Sequence, residues 1–464
     1  MDTLHTPSNS VPGAELPPRT SEEARNWLRA HHIEEAECIT PDLAGVARGK
    51  AMPAAKFADL KASFLPISIF HQSITGNYAR FDRDDFWTER DVSLVPDLST
   101  WRFVPWANEP TVLVIHDLHE TDGAPLGCAP RNVLKRVLAL YAERGWRPVV
   151  APEMEFYLTQ KNSDPDIPLQ PPVGRSGRRT VGRQSYSIAA VDEYESVIEL
   201  IYDYAEAQRL EIDTIIQEGG AAQLEINLQH GDPLELADRA FLFKRMVREA
   251  AIRHDCYATF MARPMNHEPG SAMHIHQSVV DARSGRNLFS REDGSASNLF
   301  EHFIGGQQKY LPAAIALMAP YVNSYRRLTP GEAAPINLEW GVDNRSVGLR
   351  VPRSESAGRR LENRLVGADA NPYLAIAASL ACGYLGMVEA VSPREPFEGD
   401  AYSAPHTLPR SLLDAMILLE NCPEIIELLG REFIDVYCTI KHHEFEEFMR
   451  VVTPWERENL LLTV

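Results

Sequence analysis

The chain has 464 residues, with 46 lysines and arginines against 65 aspartates and glutamates, so its formal net charge at pH 7 is −19. This acidic balance argues against nucleic acid as the main partner, because phosphate backbones attract a basic surface. The six cysteines include no Cys-x-x-Cys pair. A disulfide framework and a zinc–thiolate site are therefore not indicated, and a reducing cytoplasm is the expected location.

The beginning of the chain predicts an arm followed by a small sheet domain. Residues 1–19 are rich in proline, serine and threonine and lack a basic start with an apolar run, which indicates a disordered arm rather than a signal peptide. Short apolar runs then alternate with turn residues, and the run at 111–116 is rich in β-branched residues. We therefore predict an N-terminal sheet domain over 20–125.

A larger domain is predicted over 126–464. Apolar residues at helical spacing predict helices over 131–145, 194–209 and 233–254. The stretch 373–391 is the most membrane-like, but two glycines and a glutamate interrupt it. We expect a buried helix there, capped by the preceding asparagine and with proline at its first position.

An arginine-rich loop is predicted over 162–184. One interpretation is nucleic-acid binding. The favoured interpretation is a solvated loop or an ionic contact between subunits. The arginines concerned are Arg175, Arg178, Arg179 and Arg183.

Five short strand candidates carry polar side chains on a single face, because successive residues of a strand point to opposite sides. The polar residues that alternate with apolar ones are Glu153 and Glu155; Glu225; His274, His276 and Ser278; Arg350; and Arg360, Glu362 and Arg364. Glu218 precedes Glu225 across a Gly-Gly turn, and Arg345 precedes Arg350. A solvated face would explain any one segment, but the whole set is harder to explain in that way.

Convergence of these acids would require compensating charge. The carboxylates of Glu153 and Glu155 can approach within about 5–7 Å, and two like charges at about 5 Å repel by roughly 3 kcal/mol at an effective dielectric near 20. Divalent cations such as Mg²⁺ or Mn²⁺ suit carboxylate and imidazole ligands. The arginines match phosphate, so metal ions and arginines together are typical of phosphoryl transfer. No P-loop or Rossmann motif is present in the sequence.

At these residues the chain resembles the glutamine synthetase superfamily. The resemblance implies an α+β fold, in which a small N-terminal β-grasp domain precedes a catalytic domain with a curved antiparallel sheet and surrounding helices. It also implies a homo-oligomeric ring, usually a dodecamer, with active sites between neighbouring subunits. The matching segments are 152–158, 218–227, 270–276, 323–331, 344–352 and 360–373.

The resemblance also implies a role for each matching residue. One Mg²⁺ or Mn²⁺ would be held by Glu155, Glu218 and Glu225, and a second by Glu153, His274 and Glu362. The positions that bind glutamate are Gly270, Arg327 and Arg364, and those that bind ATP are His276, Ser278 and Arg360. Arg345 and Arg350 match residues that stabilise the transferred phosphate. The implied reaction proceeds through γ-glutamyl phosphate, which an amine then attacks.

Two departures from the family pattern concern the amine. Ammonia-using members carry an acid in a segment that corresponds to 69–74 here, where no acid occurs. They also carry a glutamate after a Pro-Gly turn, where this chain has Ala333, with Glu332 one place early. Free ammonium would lose a charge-assisted site, and a larger amine would gain room. The chain thus resembles the γ-glutamylpolyamine synthetase branch, which implies ligation of glutamate to a polyamine such as putrescine for catabolism.

Three alternatives stay open. Glu332 could serve as the catalytic acid of a glutamine synthetase that uses ammonia. Aromatic side chains of the first domain could hold an ammonium tail, or equally a phenyl-bearing monoamine. A member without catalysis, acting as a structural or regulatory protein, is disfavoured because every metal-ligand position holds a competent residue.

Overall fold

The computed structural model describes residues 17–61, 63–81, 89–181, 183–330 and 334–464. The predicted arm lies outside the described residues except for 17–19. Glu332 and Ala333 also lie outside them.

The first half of the fold is a six-stranded mixed sheet. Its order is β2-β1-β6-β4-β3, with β5 also paired to β6, and β1 runs parallel to β6. The strand predicted at 111–116 is confirmed as part of β6. The strands are β1 (Glu35–Pro41), β2 (Ala47–Pro53), β3 (Ser63–Pro66), β4 (Asp91–Pro96), β5 (Arg102–Phe103) and β6 (Thr111–His119).

Two helices, α1 (Ser21–Ala30) and α2 (Ala54–Phe57), cover one face of this sheet. The hydroxyl of Thr20 accepts a hydrogen bond from the Glu23 backbone N–H and so caps α1. Ala24 and Leu28 recur at helical spacing and pack in a cluster with residues of β1 and β6. The other face of the sheet joins the main core, which continues into the second half of the chain. The predicted domain division near 125 stays a prediction.

The second half contains an eight-stranded sheet of order β12-β13-β14-β11-β7-β9-β8, with β10 paired to β7. All pairs are antiparallel except β12 with β13. The strands are β7 (Trp146–Gln160), β8 (Ile212–Gln217), β9 (Gln223–Leu228), β10 (Cys256–Thr259), β11 (Met273–Asp281), β12 (Trp340–Val342), β13 (Leu349–Val351) and β14 (Leu361–Asn363).

Helices pack against this sheet and supply most of the core, which confirms the predicted α+β class. The helices predicted over 131–145, 194–209 and 233–254 correspond to α3, α5 and α6. The helices are α3 (Pro130–Glu143), α4 (Ile188–Asp192), α5 (Glu195–Ala207), α6 (Pro233–Arg253), α7 (Asn298–Ala314), α8 (Pro372–Glu389), α9 (Leu412–Glu420), α10 (Pro423–Leu429), α11 (Arg431–Phe448) and α12 (Pro454–Leu460).

Helix α8 lies in the centre of the core, as the sequence predicted. Its length and hydropathy would allow it to span a membrane, but 89% of it is buried inside the protein. The side chain of Asn371 accepts from the backbone N–H of Tyr373, and Pro372 occupies the first helical position.

Candidate active site

The pairing of β7 with its two neighbours brings the predicted metal ligands together. In the antiparallel register, Glu153 lies opposite His274 of β11, and Glu155 lies opposite Glu225 of β9. Residues directly opposite in such a sheet have Cβ atoms about 4.5–5.5 Å apart. The inward neighbours of these acids, such as Met154, are fully buried in the core, so the acids occupy the other face.

Strand β14 adds Glu362 to the same face. Glu362 lies opposite His276 of β11 on one side and opposite Arg350 of β13 on the other. Its side chain is only 1% exposed. A solvated polar face, the alternative for each segment alone, is therefore wrong here.

Two groups of potential metal ligands result, each with its ligand atoms within 4.8 Å of one another. One consists of Glu153, His274 and Glu362, the same trio that the family resemblance implies. The other consists of Glu155, Glu225 and His274. Glu218 lines the same cavity but, among the described residues, joins neither group.

The carboxyl groups of the second group are too buried and too close together to ionise freely without a compensating charge. Burial and the charge of Glu218 raise the pKa of Glu155 to about 8. Burial and the charges of Glu155 and Glu153 raise the pKa of Glu225 to about 9. A divalent cation with a preference for oxygen ligands would relieve this repulsion, so the donor set fits Mg²⁺ or Mn²⁺.

The first group holds its carboxylates in the ionised form. Burial alone would raise the pKa of Glu153, but hydrogen bonds with His274 and His276 hold the pKa well below its ordinary value. Burial is likewise outweighed at Glu362, where Arg364 and His274 lower the pKa to about 2. Burial lowers the pKa of His274 to about 4, which favours the neutral imidazole that ligates metals.

His276 links this group to Arg360. The guanidinium Nε of Arg360 donates to Nδ1 of His276 at 3.2 Å. The proton of His276 must then sit on Nε2, which donates to Oε1 of Glu153 at 2.7 Å. The predicted ATP residue Arg360 thus orients a histidine that contacts a predicted metal ligand.

Two cavities meet at this part of the sheet. The first has a volume of ≈ 500 Å³ and the second ≈ 590 Å³, and Glu153 and Asn227 line both. The second cavity contains all three predicted ATP residues, His276, Ser278 and Arg360. The first contains the remaining predicted residues that the structure describes, except Glu362: Glu155, Glu218, Glu225, Gly270, His274, Arg327, Arg345, Arg350 and Arg364.

The arginines of the first cavity differ in how they are held. Arg350 donates to Glu362 at 2.7 Å and to Asp343 at 3.0 Å, and Arg364 also donates to Glu362. Arg345 is exposed at the cavity wall. The paired arginines are fixed in place, whereas Arg345 presents its charge to the cavity itself.

Gly270 is required for the close packing of Arg327. A Cβ atom at position 270 would lie 2.6 Å from the Ala262 carbonyl oxygen and 2.6 Å from Cγ of Arg327. Arg327 is only 3% exposed and donates to the backbone oxygens of Arg364 and Leu365 at 2.8 and 2.9 Å. Glycine therefore leaves space for an arginine that is part of the cavity wall.

Comparison with known proteins identifies the family. Residues 127–460 match the model of the glutamine synthetase catalytic domain. This chain belongs to the glutamine synthetase family. The recognition of the superfamily and of its α+β fold is thus confirmed.

Several relatives match this glutamine synthetase family member along nearly their whole length. The chain is 36% identical over 452 residues to the γ-glutamylputrescine synthetase PuuA of Escherichia coli (strain K12), covering 95% of this chain and 94% of that protein. It is 30% identical over 450 residues to a glutamate–isopropylamine ligase of a Pseudomonas species, covering 94% and 96%. A GmaS structure with ADP gives a TM-score of 0.81 at 30% identity, covering 94% of this chain and 99% of that one.

Sequence reasoning missed part of the cavity of this family member. Arg183, Ser185 and Tyr186, at the end of the arginine-rich loop, line the first cavity. Tyr186 has a left-handed backbone with φ of 63° and a side chain that is 62% exposed. Neither interpretation of the loop included this role. Arg175, by contrast, pairs with Glu195 of the same chain at 2.8 Å.

Two amides of β9 were also missed. The Nε2 of Gln223 donates to Oε2 of Glu155 at 3.3 Å and to the Gly270 backbone oxygen at 3.0 Å. Asn227 donates to Thr214, and it lines both cavities. Gln223 and Asn227 lie two residues before and two residues after Glu225. This spacing along a strand predicts that all three side chains share one face.

Proposed function

We propose that this chain is an ATP-dependent ligase that joins the γ-carboxylate of glutamate to a primary amine, with a polyamine such as putrescine as the preferred amine. The observation that carries the proposal is the pair of neighbouring cavities that share Glu153 and Asn227 in their linings. The residues implied for ATP lie in one cavity, and those implied for glutamate lie in the other. Such a division suits a reaction in which a phosphoryl group passes from one substrate to the other.

The relatives support the choice of a carbon–nitrogen ligase and of an alkylamine. Two of them are named for ligation of glutamate to putrescine and to isopropylamine, and the GmaS structure is an ADP complex. The sequence departures point the same way, because no acid occurs at 69–74 and Ala333 replaces a family glutamate. A homo-oligomeric ring, for which a dodecamer is expected, and a cytoplasmic location belong to the same proposal.

Each group of residues has a proposed task. Glu155, Glu218 and Glu225 would hold one divalent ion, and Glu153, His274 and Glu362 the other. When bound, such ions neutralise phosphate charge and polarise the phosphoryl oxygens. Gly270, Arg327 and Arg364 would hold glutamate, and His276, Ser278 and Arg360 would hold ATP.

The proposed reaction has two steps. A γ-carboxylate oxygen of glutamate attacks the γ-phosphorus of ATP, the bond to the bridging oxygen breaks, and ADP leaves. The amine nitrogen then attacks the carbonyl carbon of γ-glutamyl phosphate, releasing inorganic phosphate and a proton. Arg345 and Arg350, on the wall of the first cavity, would stabilise the charge of the phosphate in both steps.

A substrate screen tests the choice of amine. Purified protein with glutamate, ATP and Mg²⁺ is given putrescine, spermidine, isopropylamine, phenethylamine or ammonium, and phosphate and γ-glutamyl product are measured. We expect kcat/KM for putrescine to exceed that for ammonium by at least about 100-fold, because an ammonium-sized ion leaves most of an enlarged amine pocket unfilled. Highest turnover with ammonium would indicate a glutamine synthetase, and highest turnover with a monoamine would replace the polyamine proposal.

A further inference from the structure

The segment 397–408, here termed the brace, packs against the segment 334–346, which contributes Ala334 and Arg345 to the lining of the first cavity. Its backbone is hydrogen-bonded to the segment 334–346 at several points. Thr407 N–H donates to the Ile336 oxygen at 3.1 Å, and Phe397 N–H donates to the Trp340 oxygen at 2.7 Å. The side chain of Asn337 donates to the Ala401 oxygen at 2.8 Å.

Tyr402 of the brace contacts the cavity wall directly. Its hydroxyl donates to the backbone oxygen of Ala334 at 2.9 Å. Ala334 is buried and lines the first cavity. The ring of Tyr402 is partly buried, and the brace around it is held by Asp400, which accepts from the Tyr402 N–H.

The brace also holds the residues on either side of Arg345. Asn344 donates to the Gly399 oxygen at 2.8 Å, and the hydroxyl of Ser346 accepts from the Ala401 N–H at 2.9 Å. Ser346 in turn donates to the side chain of Asn344 at 2.7 Å. Arg345 is therefore exposed to the cavity on a backbone that the brace fixes from behind.

We propose that Tyr402 is a positioning residue for the amine-transfer step, acting through Ala334 and the brace. The proposal rests on the proposed ligase function. If the cavity wall around Ala334 packs closely against the substrates, it excludes water from γ-glutamyl phosphate. The same packing keeps the guanidinium of Arg345 beside the phosphate. Loss of the Tyr402 hydroxyl would loosen this wall without removing any group that touches a substrate.

The test is Tyr402→Phe, which removes one oxygen atom. We expect the KM for putrescine to rise about three- to tenfold, as for the loss of one hydrogen bond. We also expect phosphate release to exceed γ-glutamyl product by about twofold or more, because water then competes for the acyl phosphate. The melting temperature should fall no further than in the control variant below, and the KM for ATP should stay close to the wild-type value.

Tyr437→Phe is the matched control. The Tyr437 hydroxyl also donates to a backbone oxygen, that of Ala316 at 2.7 Å, but it lies in the core away from both cavities. This variant should change stability and keep phosphate and product equal. Equal phosphate and product in Tyr402→Phe, with an unchanged amine KM, would overturn the proposal. The measurement on the wild-type protein distinguishes failure of the Tyr402 proposal from failure of the ligase proposal. A wild type without amine-dependent turnover would refute the ligase function itself.

Discussion

Replacing Glu362 with glutamine is expected to lower kcat for γ-glutamyl amine formation by about 10²–10³-fold while the protein stays folded. Glu362 is buried and ionised, and it is shared by the first ligand group, Arg350 and Arg364. Glutamine keeps the shape and can still accept hydrogen bonds. It lacks the negative charge that the proposed cation and both arginines require.

Two measurements accompany Glu362→Gln. The stabilisation of the wild type by Mn²⁺, measured as an increase in melting temperature, should be strongly reduced in the variant, because one ligand is neutral. Glu355→Gln is the control, since Glu355 is an exposed glutamate before β14 that lines neither cavity. Activity within about threefold of wild type, together with an unchanged Mn²⁺ effect, would contradict the assignment of Glu362.

Arg345→Ala is the second large expected effect, with kcat lower by about 10²-fold or more and the melting temperature unchanged. Arg345 is exposed at the cavity wall, where a substitution usually changes stability little. The loss of activity would therefore reflect the missing positive charge beside the phosphate, rather than a change in the fold.

Arg353→Ala controls for the removal of an arginine in the same region. Arg353 is 81% exposed and pairs with Asp343 at 3.3 Å outside the cavity. Exposed ion pairs of this kind contribute little to stability. Its activity should match that of the wild type. An equal loss of activity in both arginine variants would show that the effect at position 345 is not local.

The convergence of these polar side chains on one face of the sheet could be predicted because successive residues of a strand point to opposite faces. Glu153 and Glu155 alternate with core residues such as Met154, and His274 and His276 alternate in the same way on β11. Glu153 must therefore share a face with Glu155, and His274 must share a face with His276. The family resemblance then assigned residues of different segments to one site, which no single segment indicates.

Other parts of the site could not be predicted because they depend on loops and backbone packing. Tyrosine is not a residue type that indicates a left-handed backbone, so the sequence did not predict that Tyr186 lines the cavity. The contact between Tyr402 and Ala334 depends on how 397–408 folds against a distant segment. Such pairings between irregular segments have no periodicity to reveal them.

The most direct test of phosphoryl transfer from ATP to glutamate is to trace one oxygen atom of the γ-carboxylate into the released phosphate. Glutamate labelled with ¹⁸O in its γ-carboxylate is incubated with ATP, Mg²⁺ and putrescine, and the released phosphate is analysed by mass spectrometry. Because the carboxylate oxygen attacks phosphorus and leaves with it, we expect one ¹⁸O in each phosphate and one γ-glutamylputrescine for each phosphate. Unlabelled phosphate, or release that does not depend on glutamate, would contradict transfer of the phosphoryl group from ATP in the second cavity to glutamate in the first.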